Sequence, residues 1–166
     1  MAVLQSNQNT IILKTSASFS VEYMYYAMNT ILFIRGFSTL NNFTIKYYFG
    51  VAIWILSDEK LSYYFKPQLK SLRELLINRF VRKIFLHLKN STTNEVLEQW
   101  NFVVECKEHN NGELNKYNDL SIVQKEIRYL LQQICSMKSY LPLSTQEWNY
   151  SITVKLEDPI MSNLMV

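Results

Sequence analysis

The run Glu95-Val-Leu-Glu-Gln-Trp-Asn-Phe-Val-Val-Glu-Cys106 constrains this chain more than any other segment. Val96, Trp100, Phe102, Val104 and Cys106 fall on one side of a period-two alternation, with Gln99, Asn101, Val103 and Glu105 on the other. That is the pattern of a strand with one buried face. Immediately upstream, Lys83 to Lys89 reads as a strand apolar on both faces and Asn90 to Asn94 as a polar turn, so a central hairpin is expected.

The other elements arrange themselves around that hairpin. Thr10 to Lys14 is a short β-prone piece, and Thr15, Ser16 or Ser18 can cap the helix that follows. From Phe19 to about Arg35 that helix has almost no polar face, which marks a helix surrounded by protein, and Gly36 supplies its stop. Ile45 to Ile55 reads as one strand broken or bulged at Gly50. Leu61, Phe65, Leu69, Leu72 and Leu76 recur at helical spacing after Ser57 and Asp58, with Pro67 placed to kink the helix or restart it at its first turn. Lys107 to Asn118 reads as a flexible loop. Leu120, Val123, Ile127, Leu130, Leu131 and Ile134 then trace one face of a third helix, capped by Asn118 or Asp119 and ending near Pro142. Trp148, Tyr150, Ile152, Val154 and Leu156 alternate with polar residues, as in a strand with one buried face. The order β-α-β-α-β-β-α-β predicts an α+β domain, three helices packed on a mainly antiparallel sheet.

Composition narrows the function classes. The 166 residues are 48% hydrophobic and 14% aromatic, enough for one domain with a sizeable core and too few for two comfortable ones. A net charge of +3 from scattered basic residues gives no field that argues for nucleic acid or anionic lipid. The two cysteines, Cys106 and Cys135, are too few for a disulfide framework or a zinc site and read as reduced thiols. The N-terminus lacks the pattern of a secretory signal, and the apolar run Phe49 to Leu56 is too short to cross a bilayer.

Catalytic chemistry is not written into the chain. His87, inside an apolar strand, reads as a satisfied core histidine, and His109 lies in the loop; neither has a ligand-spaced partner, so no metal or other cofactor is expected. No nucleophile elbow occurs, and three glycines cannot build a phosphate-cradling loop. Glu95, Glu98 and Glu105 fit no catalytic pair; solvated or rim positions are expected, with Glu95 and Glu98 on opposite faces. Lys46 to Ile53 resembles an RNA-recognition octamer only faintly, lacking its early glycine and basic surroundings. Glu22 and Asn29, a heptad apart in the apolar first helix, read as a buried, hydrogen-bonded structural pair.

Several stretches taken in order carry a family resemblance. They are Glu22, Asn29-Thr-Ile-Leu32, Arg35-Gly36, Phe43-Thr44, the Glu95 to Cys106 run with its Trp100, Glu126-Ile127-Arg128, Gln133-Ile134 and Leu141-Pro142-Leu143. From about Leu13 to Glu157 the chain resembles the HORMA-domain family, most of all its spindle-assembly-checkpoint (mitotic-arrest-deficient) branch. The branch that serves as accessory subunit of a translesion DNA polymerase matches the Arg35-Gly36 and Trp100 regions less well.

The resemblance implies a single HORMA domain over residues 1–166 and a non-enzymatic adaptor that grips an extended partner motif as an added strand. The implied partners are a checkpoint coiled-coil protein at kinetochores and the activator of the anaphase-promoting complex, which the adaptor restrains. The implied locations are nucleus, kinetochore and cytoplasm. By position, Trp148, Tyr150, Ile152, Val154 and Leu156 resemble the strand whose edge receives the peptide. The helix Ile122 to Leu141, with Arg128, Gln132, Gln133, Tyr140 and Leu141, resembles the face through which two conformers pair. The family carries an arginine where this chain has Gln132, so any homodimer is expected to be weak.

Val96, Glu98, Trp100, Phe102 and Val104 resemble a sheet edge contested by the N-terminal strand and a C-terminal safety belt. Beyond Glu157 only Asp158 to Val166 remain, a reach of roughly 30 Å. The expectation is therefore a C-terminally shortened domain that cannot close around its ligand and binds it weakly and reversibly, with Thr10 to Lys14 holding the contested edge in an open-like state. The alternative is a truncated structural or decoy module that keeps the fold without trapping a ligand.

Overall fold

A computed structural model describes residues 2–5, 9–48, 50–63, 65–105, 120–139 and 147–156. In chain order the elements are β1 (Ala2–Gln5), β2 (Thr10–Leu13), α1 (Ala17–Ile34), β3 (Phe43–Tyr48), β4 (Val51–Leu56), the single turn α2 (Glu59–Ser62), α3 (Phe65–Ile77), β5 (Val81–Asn90), β6 (Val96–Val104), α4 (Leu120–Met137) and β7 (Trp148–Leu156). Five strands form one sheet in the order β1-β2-β6-β5-β7, and β3 pairs with β4 alone. Every pairing is antiparallel except β2 with β6.

Helix α1 is the pivot. Tyr23, Met24, Ala27, Met28, Ile31 and Leu32 are all 1% exposed or less, and the helix packs against α3, α4 and β4. Ser16 caps its start by accepting from the Phe19 N–H at 3.4 Å. At its end Gly36 adopts φ +66° while Gly36 N–H donates to the Phe33 carbonyl and Phe37 N–H to that of Leu32, the paired bonds of a Schellman cap. The core face of the main sheet comes from Ile84, Leu86 and Leu88 on β5 with Trp100, Phe102 and Val104 on β6.

The structure corrects several expectations. Ile45 to Ile55 is not one interrupted strand but a hairpin. Gly50 at φ +75° lets the chain reverse, and the polar residues Thr44 and Lys46 on β3 face Ile55 and Ile53 on β4. Of the two outcomes expected at Pro67 the structure shows the restart: α2 ends at Ser62 and α3 begins at Phe65, with Pro67 in its first turn, where its missing N–H costs nothing. Strand β1, unforeseen, extends the sheet past β2. Helix α4 starts at Leu120 and ends at Met137, so Tyr140 and Leu141 lie outside the described residues, as do Cys106, His109 and the loop assigned to 107–118.

Two register shifts explain further differences. Leu88 faces Glu98 but Lys89 faces Val96, so Leu97 is an extra residue in β6. Beyond that bulge the faces exchange, and Val96 is 47% exposed rather than buried with Trp100. A second shift at Arg82 places Leu156 at the far end of an edge strand, 66% exposed.

His87 sits on the face opposite Leu86 and Leu88 and is not a core residue. Its Nε2 lies 2.8 Å from Thr153 Oγ1, and its Nδ1 is buried with no hydrogen-bond partner. Glu22 and Asn29 do not form a buried pair. Glu22 is exposed, while Asn29 is 1% exposed and bonds Tyr25 O through Nδ2 and the Leu56 N–H through Oδ1, at 2.8 and 2.9 Å. Asn29 thus fastens the central helix to the end of β4.

Candidate partner-binding edge

Strand β7 closes one end of the sheet. It pairs with β5 from Trp148 to Leu156, and no strand pairs with its other side among the described residues. Trp148, Tyr150, Ile152 and Val154 are half-buried and pack against the core, so β7 carries an apolar face and an open edge together. Tyr150 stands between Phe37 and Phe65 at ring-centroid distances of 5.2 and 5.8 Å, and burial pushes its phenol up to about 12. Phe65 continues to Tyr25, and Tyr25 to Tyr48, so an aromatic row runs from β7 across α1 to the small hairpin.

Beside Ile152 and Val154, α3 contributes Pro67, Gln68, Ser71, Leu72 and Leu75 to a groove of about 260 Å³. The start of β7 is pinned from two sides. Ser91 donates both its N–H and its hydroxyl to the Glu147 carbonyl, at 3.1 and 3.2 Å. The Arg35 guanidinium lies 5.6 Å from the Trp148 ring centroid.

Arg35 is the hub of a buried polar network. Its Nε donates to Glu98 Oε2 at 2.8 Å, with the two side chains 4% and 8% exposed. The other carboxylate oxygen accepts from Trp100 Nε1 at 2.6 Å. Glu98 is therefore not the solvated glutamate expected, and Glu95 lies in the loop ahead of β6 rather than on its opposite face. Period-two spacing does put Glu98 on the side of Trp100 and Phe102, which was the available signal. This network joins the end of α1, the middle of β6 and the start of β7.

At the other side of β6, β2 occupies the edge through the register Thr10↔Asn101 to Leu13↔Val104. Asn101 N–H donates to Asn9 O at 2.8 Å, Glu105 N–H to Leu13 O at 2.9 Å, and Lys14 pairs with Glu105 at 3.1 Å. Thr10 to Leu13 lies along Asn101 to Val104, so of the residues expected to form this edge only Phe102 and Val104 fall in its register, and Val96, Glu98 and Trp100 lie outside it. On α4, Ile127, Leu130, Ile134 and Met137 face the core, Arg128 and Gln132 are exposed, and Gln133 is half-buried. Tyr23 Oη donates to Glu126 at 2.6 Å, tying α4 to α1; burial first, and that carboxylate second, raise the Tyr23 phenol far above its ordinary value.

Among the described residues no three His, Cys, Asp or Glu side chains group as metal ligands, and no helix is long and apolar enough to cross a membrane. No family model matches the chain. The mitotic spindle assembly checkpoint protein MAD2A of Dictyostelium discoideum is 30% identical over 154 residues, covering 93% of this chain and 76% of that protein. The chain belongs to the MAD2 family.

A chain in the crystal structure of the mitotic checkpoint complex shares the fold at TM-score 0.74 and 26% identity, over 86% of this chain and 76% of that one. Caenorhabditis elegans HTP-2, solved bound to the HIM-3 closure motif, superposes at TM-score 0.61 and 14% identity, over 84% of this chain and 69% of that one. The latter is a likeness of fold alone. The MAD2 relatives are mitotic spindle-checkpoint proteins, the branch to which the resemblance pointed.

Proposed function

We propose that this chain is a non-enzymatic spindle-checkpoint adaptor, one HORMA domain, that takes an extended partner segment as an added strand on the open edge of β7. The observation that carries this reading is the coincidence, on one strand, of an edge unpaired among the described residues and an apolar face beside a groove. Added-strand binding needs both features. Main-chain bonds to an edge supply non-specific affinity of about 0.5–1.5 kcal/mol net per bond. Pockets for alternate side chains supply the choice of partner. HTP-2, a neighbour in fold, was solved with a motif of another protein bound, which supports a partner segment as ligand.

The partners we assign are the kinetochore-bound checkpoint coiled-coil protein and the activator of the anaphase-promoting complex, whose restraint delays chromosome separation. The corresponding places of action are kinetochore, nucleus and cytoplasm. The exposed side of α4 around Arg128 and Gln132, flanked by Gln133, is the surface proposed for weak pairing between copies.

Fluorescently labelled peptides from those two partners, about as long as β7, test the reading by anisotropy. Ile152→Arg and Val154→Arg each place a charge in the groove beside the edge. A loss of roughly tenfold or more in affinity is expected, with circular dichroism unchanged. Unchanged affinity in both variants would move the site elsewhere.

A further inference from the structure

The groove between α3 and β7 contains one unmet hydrogen-bonding group. Its walls are Pro67, Leu72, Leu75, Ile152 and Val154, with two polar residues, Gln68 and Ser71. Ser71 spends its hydroxyl by donating to the Pro67 carbonyl at 3.2 Å. The Gln68 Oε1 is buried and has no partner. An apolar groove has no structural use for a buried, unpaired acceptor, because lining it with a leucine or valine would cost less than leaving an amide oxygen dry.

We infer that Gln68 makes this groove selective for a hydroxyl-bearing side chain, threonine or tyrosine, at the position of the partner peptide that enters it. The inference rests on the reading of β7 as the receiving edge. Ile152 and Val154 project to the α3 side of β7, whereas Thr153 between them bonds His87 on the opposite face. Every second residue of a strand added beside β7 projects to the same side. One such residue enters the groove. Its carbon skeleton replaces water against Leu72, Leu75, Ile152 and Val154, and its hydroxyl donates to Gln68 Oε1.

The terminal amide of a glutamine turns in a broad torsional well, so the oxygen can meet an incoming donor by a small rotation. A hydroxyl can also accept, so it satisfies whichever end of the amide faces inward. An aliphatic residue of the same shape fills the same space but leaves the acceptor as unpaired as it is in the free chain, so only the hydroxyl gains the bond. The selection is therefore decided by one oxygen atom and not by size.

Peptides selected from a display library on the immobilised chain, and retained only if Val154→Arg abolishes their binding, supply the probe. Their inward positions are then exchanged within the pairs valine/threonine and phenylalanine/tyrosine, which differ by a hydroxyl. At one position the hydroxyl member is expected to bind roughly five- to tenfold more tightly. In Gln68→Leu, checked for an unchanged circular dichroism spectrum, the preference is expected to vanish or reverse. Equal affinities within both pairs, or a hydroxyl preference that survives Gln68→Leu, would overturn the inference while leaving β7 as the receiving edge. If no selected peptide depends on Val154, the receiving edge itself is wrong and the selectivity falls with it.

Discussion

At the scale of single residues, the buried Arg35–Glu98 pair is the feature most exposed to test. Removing one partner of a buried ion pair strands the other charge in low dielectric. Glu98→Ala also leaves Trp100 Nε1 without its acceptor. The expected loss is about 3–5 kcal/mol, read as a lower urea midpoint at unchanged slope. A loss below about 1 kcal/mol would mean that water relaxes the pair.

His87 offers a second residue-scale test. Burial first, and Lys89 second, depress its folded pKa below the ordinary 6.5. In the window between those two values the unfolded chain binds the extra proton, so stability falls as pH drops through the ordinary value and levels off below the folded one. His87→Gln is expected to show a shallower fall in thermal midpoint between about pH 7.5 and about pH 5.5. Parallel slopes would sink that assignment. The two residues differ from the sequence reading for separate reasons: the charge of Glu98 suggests a solvated position, and β5 reads as apolar on both faces although only one faces the core. Alternation puts Glu98 with Trp100 and puts His87 opposite Leu86 and Leu88, whatever their charge or polarity.

At the scale of elements, what was legible was whatever repeats. The apolar α1, the β5–β6 hairpin, the heptad-like face of α4 and the alternation of β7 all came from periodicity over many residues. What escaped was set by one residue each. Leu97 adds a bulge that turns Val96 outward, and at Gly50, legible as a break or bulge, the chain reverses rather than continuing. The bulge at Leu97 does not change the composition of its run, so no pattern count detects it. Edge and groove were half legible: the resemblance pointed to β7, whereas the α3 side of the groove depends on a tertiary approach that sequence spacing does not encode.

Gly36 is different, since its position after an apolar helix announced its role. A Cβ there would meet nothing within 4 Å, so the cost of Gly36→Ala is purely conformational. At φ +66° it is expected to be about 1 kcal/mol, seen as a drop in thermal midpoint without loss of helical signal. No change would mean that the cap rearranges freely.

At the scale of the whole molecule, the sheet separates two tasks. One outer position beside β6 is filled by β2, itself flanked by β1, while among the described residues the edge of β7 stands open at the opposite end of the sheet. If β7 alone receives the partner, β2 need not move when a peptide binds. Ile12 and Val103 are register partners on adjacent parallel strands, a spacing at which a disulfide can form. In an Ile12→Cys/Val103→Cys variant with Cys106 and Cys135 replaced by serine, oxidation staples β2 to β6. Peptide affinity for β7 is expected to agree within about twofold between the oxidised and reduced forms, because the staple constrains a strand the ligand never displaces. A roughly tenfold loss on oxidation that reductant restores would show instead that binding requires β2 to leave. The two ends of the sheet would then be coupled through the strands between them, with the Arg35–Glu98–Trp148 contacts as the physical link from β6 to β7.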